Sequence, residues 1–250
     1  MGNKAAQVNT LARWCAMEDE TCLPSEKVDL FVLFGGAVIG FVETLAHAMQ
    51  ADVARRYAIV GGRGRATFQL DASMETELAR WDDALGARPC PGTDSEAQML
   101  DAVLRQRFGL RADFLETRST NCGNNIEYLM DMLEGHRSIP QSIVLCQDAV
   151  MQRRMDATWR RWAERRPAFA QTKVFDQASY TARVRLDDGE LAWEKAPEGM
   201  WPISMYPELL GGEVRRLTDD ERGYGPRGQD FVVHVDIPDD VRHAAESLGL

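Results

Sequence analysis

The sequence predicts an α/β fold with a mainly parallel sheet, and three features carry that expectation. Residues 28–34, VDLFVLF, are apolar at every position but Asp29, which suits a strand covered on both faces. Gly35 and Gly36 follow at once, and then Val42, Leu45, Ala46, Met49 and Val53 recur at helical spacing, completing a strand, loop and helix. The formula returns at residues 57–64, YAIVGGRG. Open α/β sheets bind ligands at the carboxyl ends of their strands, where both glycine loops would lie.

The remaining elements follow in order. Val8, Leu11, Ala12 and Cys15 mark an amphipathic helix over residues 4–18, expected to cover the sheet before a loop containing Pro24. Leu78, Trp81 and Leu85 suggest a further helix, and Thr93 with Glu96 has the form of a capping box opening the next, which Gly109 ends. Short strands are read at 113–116, 142–147 and 173–176. Helices carried by Ile126, Leu129, Met130 and Leu133, and by Met151, Met155, Trp159 and Trp162, fall between them. Beyond Gln177 the rhythm changes: a turn at Asp187-Asp188-Gly189 lies between short strands, prolines stand at 197, 202 and 207, and a last helix follows Pro238. The expected division is a sheet domain over 1–176, with its N-terminal helix, and a small, mainly helical C-terminal domain over 177–250. The last part of that second domain, Gly223 to Asp236, shows little periodicity and is expected to dock back on the sheet domain, either to help close a cavity, with Arg227 among the residues facing the ligand, or simply as a structural seam between the domains.

Composition narrows the function. With 44% hydrophobic and 27% charged residues, the chain is ordinary for a globular protein. A net charge of −10 argues against nucleic acid as a partner, because phosphate contacts demand a basic face. The amino terminus lacks the apolar core of a signal peptide and no stretch has the length of a membrane span, so a cytoplasmic protein without a membrane partner is expected. No oligomeric state follows. Five cysteines without a CxxC pair and four scattered histidines suggest neither a disulfide framework nor a protein-held metal.

Gly35 and Gly36 either let a backbone come close to a ligand or shape a plain turn, and a small-molecule ligand is the partner that the first reading implies. Residues 116–125, ETRSTNCGNN, lie between a strand and a helix. Ser119, Thr120 and Asn121 are good N-caps, and the same free N–H groups could hold a carboxylate or phosphate, with Asn125 nearby and Glu116 accepting from ligand hydroxyls. Glu96 could contact the ligand or serve only as the N3 acid of its capping box. Gly61, Gly62 and Gly64 could admit a ligand or merely shape a turn, and they do not form a GxGxxG dinucleotide fingerprint. Gln147, Asp148, Arg153 and Arg154 cluster where a strand meets an arginine-rich helix, which is either an anion site or a solvated face. Cys122, at a helix start, reads as a structural cysteine.

Taken together, Gly35-Gly36, Gly61-Gly62, Ser95-Glu96-Ala97, Glu116 with Ser119 and Asn121, and Gln147 through Arg154 resemble the motifs of the SanA/YdcF family. STNCG at Ser119, MQRR at Met151 and GYGPRGQDFVVHVD from Gly223 to Asp236 point to its YdcF branch. The resemblance implies a Rossmann-like three-layer α/β domain with a mainly parallel sheet, a small helical second domain, a cavity near their junction, and S-adenosyl-L-methionine as the bound cofactor. A transferase of unknown acceptor is one reaction class this suggests. A hydrolase or transferase of a phosphorylated small molecule, with Arg153 and Arg154 as the anion clamp, and a non-catalytic ligand sensor are the alternatives. Cys122, Asn124 and Met151 stand where the wider family usually has Thr, Glu and His, so no catalytic role carried by those groups transfers.

Overall fold

The computed structural model describes residues 4–20 and 25–250; Cys22 and Pro24 lie outside the described residues. The chain runs α1 (Lys4–Cys15), β1 (Val28–Phe34), α2 (Phe41–Gln50), β2 (Ala54–Val60), α3 (Thr67–Leu78), α4 (Glu96–Phe108), β3 (Phe114–Glu116), α5 (Cys122–Gly135), β4 (Ser142–Gln147), α6 (Gln152–Arg165), β5 (Lys173–Ala178), β6 (Arg183–Asp187), β7 (Glu190–Lys195), α7 (Tyr206–Leu217) and α8 (Asp239–Leu248).

The five-stranded sheet has the order β3-β2-β1-β4-β5, with every pairing parallel. β1 lies at the centre, and its apolar sequence suits cover on both sides. Phe31 and Leu33 join the core under α2 and α4, whereas Leu30, Val32 and Phe34 join the core under α5 and α6. Helices on both faces of a parallel sheet make the Rossmann-like three-layer arrangement expected. Successive strands run outward from β1 to β3 and then reverse to β4 on the other side of β1. A crevice therefore opens between the carboxyl ends of β1 and β4, the topological switch point of such a sheet.

The C-terminal part holds α7, α8 and the antiparallel pair β6–β7, turned by Asp188 and Gly189 with φ of 48° and 85°. A separate core joins Tyr206, Leu210, Val214, Val241 and Ala245 to Val8, Leu11 and Cys15 of α1. Here the sequence expectation is corrected: α1 packs on α7, α8 and β6, not on the sheet, and Asn9 exchanges two hydrogen bonds with the Val184 backbone at 2.8 and 2.9 Å. Two helices also differ from expectation. Leu78 ends α3 instead of opening a helix toward Leu85, and α7 starts with Pro207 in its first turn, where a missing N–H costs nothing. No helix among the described residues is long and apolar enough to cross a membrane, and among them no group of three or more His, Cys, Asp or Glu side chains could hold a metal ion.

Candidate functional site

A cavity of about 1090 Å³ opens over the carboxyl ends of β1 and β4 and is closed by the C-terminal part. Its floor is glycine. A Cβ on Gly35 would stand 2.6 Å from Glu96 Oε2, and one on Gly61 only 2.9 Å from the Gly35 Cα, so the loops after β1 and β2 touch through bare backbone. A Cβ on Gly62 would meet the Ser119 carbonyl at 2.1 Å, and the Gly62 N–H donates to Ser119 Oγ at 3.0 Å. Gly35, Gly36 and Gly64 line the cavity; Gly61 and Gly62 do not, because they serve to seat the neighbouring loops.

Glu96 reaches this floor because α4 begins later than the sequence suggests. The capping box is Ser95 with Gln98, not Thr93 with Glu96: Thr93 Oγ1 instead closes a turn onto the Cys90 carbonyl, and Glu96 becomes the first helical residue. Its side chain turns into the cavity, where Thr67 Oγ1 donates to it. Burial pushes its pKa above the ordinary range, against the lowering effect of Thr67 and the Gly64 N–H.

Glu116 is the contrary case. It is 4% exposed, yet its carboxylate is occupied by its own loop, accepting from the Arg118 N–H at 2.6 Å and the Ser119 N–H at 3.3 Å. It does not line the main cavity, so the expected contact with ligand hydroxyls is not made. The loop that it braces does line it. Asn121 caps α5 by accepting from the Asn124 N–H at 3.0 Å, and the Asn125 N–H bonds the Asn121 carbonyl. The N–H groups of Cys122 and Gly123, in the first turn, have no acceptor within the helix and lie at the cavity wall with Ser119, Thr120, Asn121 and Asn125.

At the end of β4, Gln147 is 1% exposed and lines the cavity. Its Oε1 accepts from the Asp148 N–H at 2.6 Å, while its Nε2 is buried with no partner among the described residues. Behind it, the Gln147 N–H donates to Gln152 Oε1 at 2.8 Å, and Gln152 Nε2 donates to Asp176 Oδ1 at 2.8 Å. Asp148 also lines the cavity but is committed to structure, accepting from the Tyr180 hydroxyl at 2.6 Å and the Val150 N–H at 2.9 Å. Burial raises its pKa.

The expected arginine clamp does not form. Arg153 points away from the cavity, donating to the Trp14 carbonyl at 2.8 Å, stacking over the Trp14 ring and pairing with Glu20. Arg154 does line the cavity, but its Nε and Nη2 hold both oxygens of Glu213 at 2.5 and 3.0 Å. Cys122 sits nearby, and burial pushes its thiol pKa up, which keeps it protonated and agrees with a structural role. Arg227 is exposed and lies outside the cavity, its N–H donating to Asp219 Oδ1 at 2.8 Å.

The sequence reading expects residues 223–236 at the cavity but not the rest of the second wall. Met151 at the N-cap of α6 and Thr158, Trp162 and Arg165 within it, with Trp201, Leu209, Tyr224 and Phe231 from beyond the sheet, complete the lining. Met151 and Trp162 look like members of the buried stripe with Met155 and Trp159, yet only the latter two are wholly in the sheet core. Their partial burial is the cavity's mark on that helix. Residues 223–236 run along α6, with the Val233 N–H donating to the Ala157 carbonyl at 3.2 Å and Asp230 held by Arg161 and Arg165. No family model matches the chain.

Proposed function

We propose that this chain is a SanA/YdcF-like protein that binds S-adenosyl-L-methionine at the switch point between β1 and β4. The observation that carries the reading is the unpartnered Nε2 of Gln147, a buried donor beside the cavity that costs free energy until an acceptor meets it. The ligand's carboxylate supplies that acceptor and lies toward the Cys122 and Gly123 N–H groups at the start of α5. Glu96, the buried acid left facing the cavity once Glu116 and Asp148 are spent on structure, takes the ribose hydroxyls or the sulfonium side. The phosphate-ester alternative draws less support: of the five arginines that line the cavity, Arg63, Arg154, Arg165 and Arg216 are paired with Asp71, Glu213, Asp230 and Glu213, which leaves the exposed Arg65 as the one without an ion pair among the described residues. A dianion would compete with those carboxylates for the paired guanidinium groups.

Isothermal titration with adenosylmethionine and, in parallel, a nucleoside monophosphate tests the assignment. Adenosylmethionine should bind more tightly, and Glu96→Gln should weaken it by about 1–3 kcal/mol, the worth of a buried charge-assisted hydrogen bond. Tighter monophosphate binding, or an unchanged affinity in a folded Glu96→Gln variant, would overturn it.

A further inference from the structure

The cavity extends well past the strand ends. Met151, Arg154, Thr158, Trp162 and Arg165 follow one another at steps of three or four along α6 and all line it, so one helix face forms a wall about 21 Å long at 1.5 Å per residue. At about 1090 Å³ the space lies at the upper limit of the roughly 300–1,000 Å³ that a single drug-sized ligand occupies. Gln147, Glu96 and the start of α5 furnish its inner end with polar groups. The outer end is built from rings: Trp162 on α6, and Tyr224 and Phe231, which meet edge to face with centroids 5.5 Å apart.

Phe231 is 54% exposed at this rim. Its position is nevertheless fixed, because Arg165 bonds both the carbonyl and the carboxylate of the adjacent Asp230, and the Phe231 N–H donates to the Tyr224 carbonyl at 2.8 Å. Arg165 spends Nη2 on Asp230, and Arg216 spends Nη1 on Glu213. Each guanidinium carries further N–H donors for an acceptor in the bay. Glu127, also in the lining, is engaged by Asn124 Nδ2 at 3.3 Å.

We propose that this outer bay is a second ligand subsite, which takes a planar aromatic molecule with an anionic or carbonyl edge. The ring lies against Trp162, Tyr224 and Phe231, where aromatic faces gain most from offset or edge contact, and the edge points to Arg165 and Arg216. The bay stands on its own geometry; that its occupant lies beside adenosylmethionine rests on the reading above.

Anilinonaphthalene sulfonate, a flat ring system with an anionic edge, is the probe, titrated by fluorescence into the full chain with and without saturating adenosylmethionine. One equivalent should bind in both cases. Phe231→Ala, at an exposed position that folding tolerates, and Trp162→Leu should each raise its dissociation constant at least fivefold, while Leu186→Ala, an exposed apolar residue on β6 outside the cavity, should leave it unchanged. Equal binding by wild type and Phe231→Ala would overturn the subsite, and so would one-for-one displacement by adenosylmethionine. If adenosylmethionine itself fails to bind while both bay variants lose the probe, the subsite stands and the ligand assigned to the inner end falls.

Discussion

Glu96 and Glu116 are both carboxylates under 9% exposed beside one cavity, but their hydrogen bonds give them opposite uses. Glu116 accepts two backbone N–H groups of its own loop and stands outside the cavity lining, whereas Glu96 has a hydroxyl partner and one side open to the cavity. Glu116→Gln should therefore lower stability by about 1 kcal/mol, the net value of one such bond, and leave adenosylmethionine affinity within twofold of wild type. Urea unfolding and calorimetry on the same preparation check both halves, and a lost affinity at full stability would return Glu116 to the site. The two acids also show the limits of reading residues from sequence. A carboxylate at the edge of a strand or helix was legible at each, but its direction depends on where its helix or loop begins to the residue, and a two-residue change in the start of α4 converts Glu96 from cap to lining.

At the scale of elements, most of the sheet domain was legible because apolar runs of period near zero or 3.6 report burial directly. β1, α2, β4 and α6 fall where Val28, Leu45, Ser142 and Met155 place them. α7 was not legible, since its proline lies in the first turn and reads as a breaker when the helix start is unknown. The partnership of α1 with α7 and α8 was hidden for another reason: an amphipathic stripe states that a face is buried, not against what. The α5 cap is the element-scale feature most open to test. Asn121→Ala removes the side-chain acceptor of the Asn124 N–H and should cost about 0.5–2 kcal/mol, measured as a shift in the urea midpoint at constant slope. An unchanged midpoint would mean that the start of α5 is held by the Glu116 loop alone.

For the whole molecule, stability should carry the imprint of a buried acid pair beneath the site. Asp176 on β5 is pushed up to about 8 by burial and by the neighbouring Asp156 charge, from an ordinary value of 3.8. The native state thus holds a proton that the unfolded chain releases, so stability declines as pH rises from about 4 toward 8 and levels beyond. Asp176→Asn keeps an acceptor for Gln152 and dispenses with the proton; its melting temperature should vary less over that window and exceed that of wild type at pH 8. Identical slopes in the two proteins would dismiss the pair as the cause. The glycine contacts between the loops of β1 and β2 have a consequence of a different kind, in how the protein can change over generations. A side chain at Gly35, Gly61 or Gly62 collides with backbone or with Glu96, so the socket cannot be reshaped by single steps. The rim, by contrast, is supplied by separate stretches around Trp201, Leu209 and Phe231, in a part of the chain that pairs with no strand of the parallel sheet. New molecular tastes are therefore expected to arise by exchange of this rim over an inherited socket, and lineages descended from this architecture should differ most in what they accept at the far end of the trough and least in what they hold at its base.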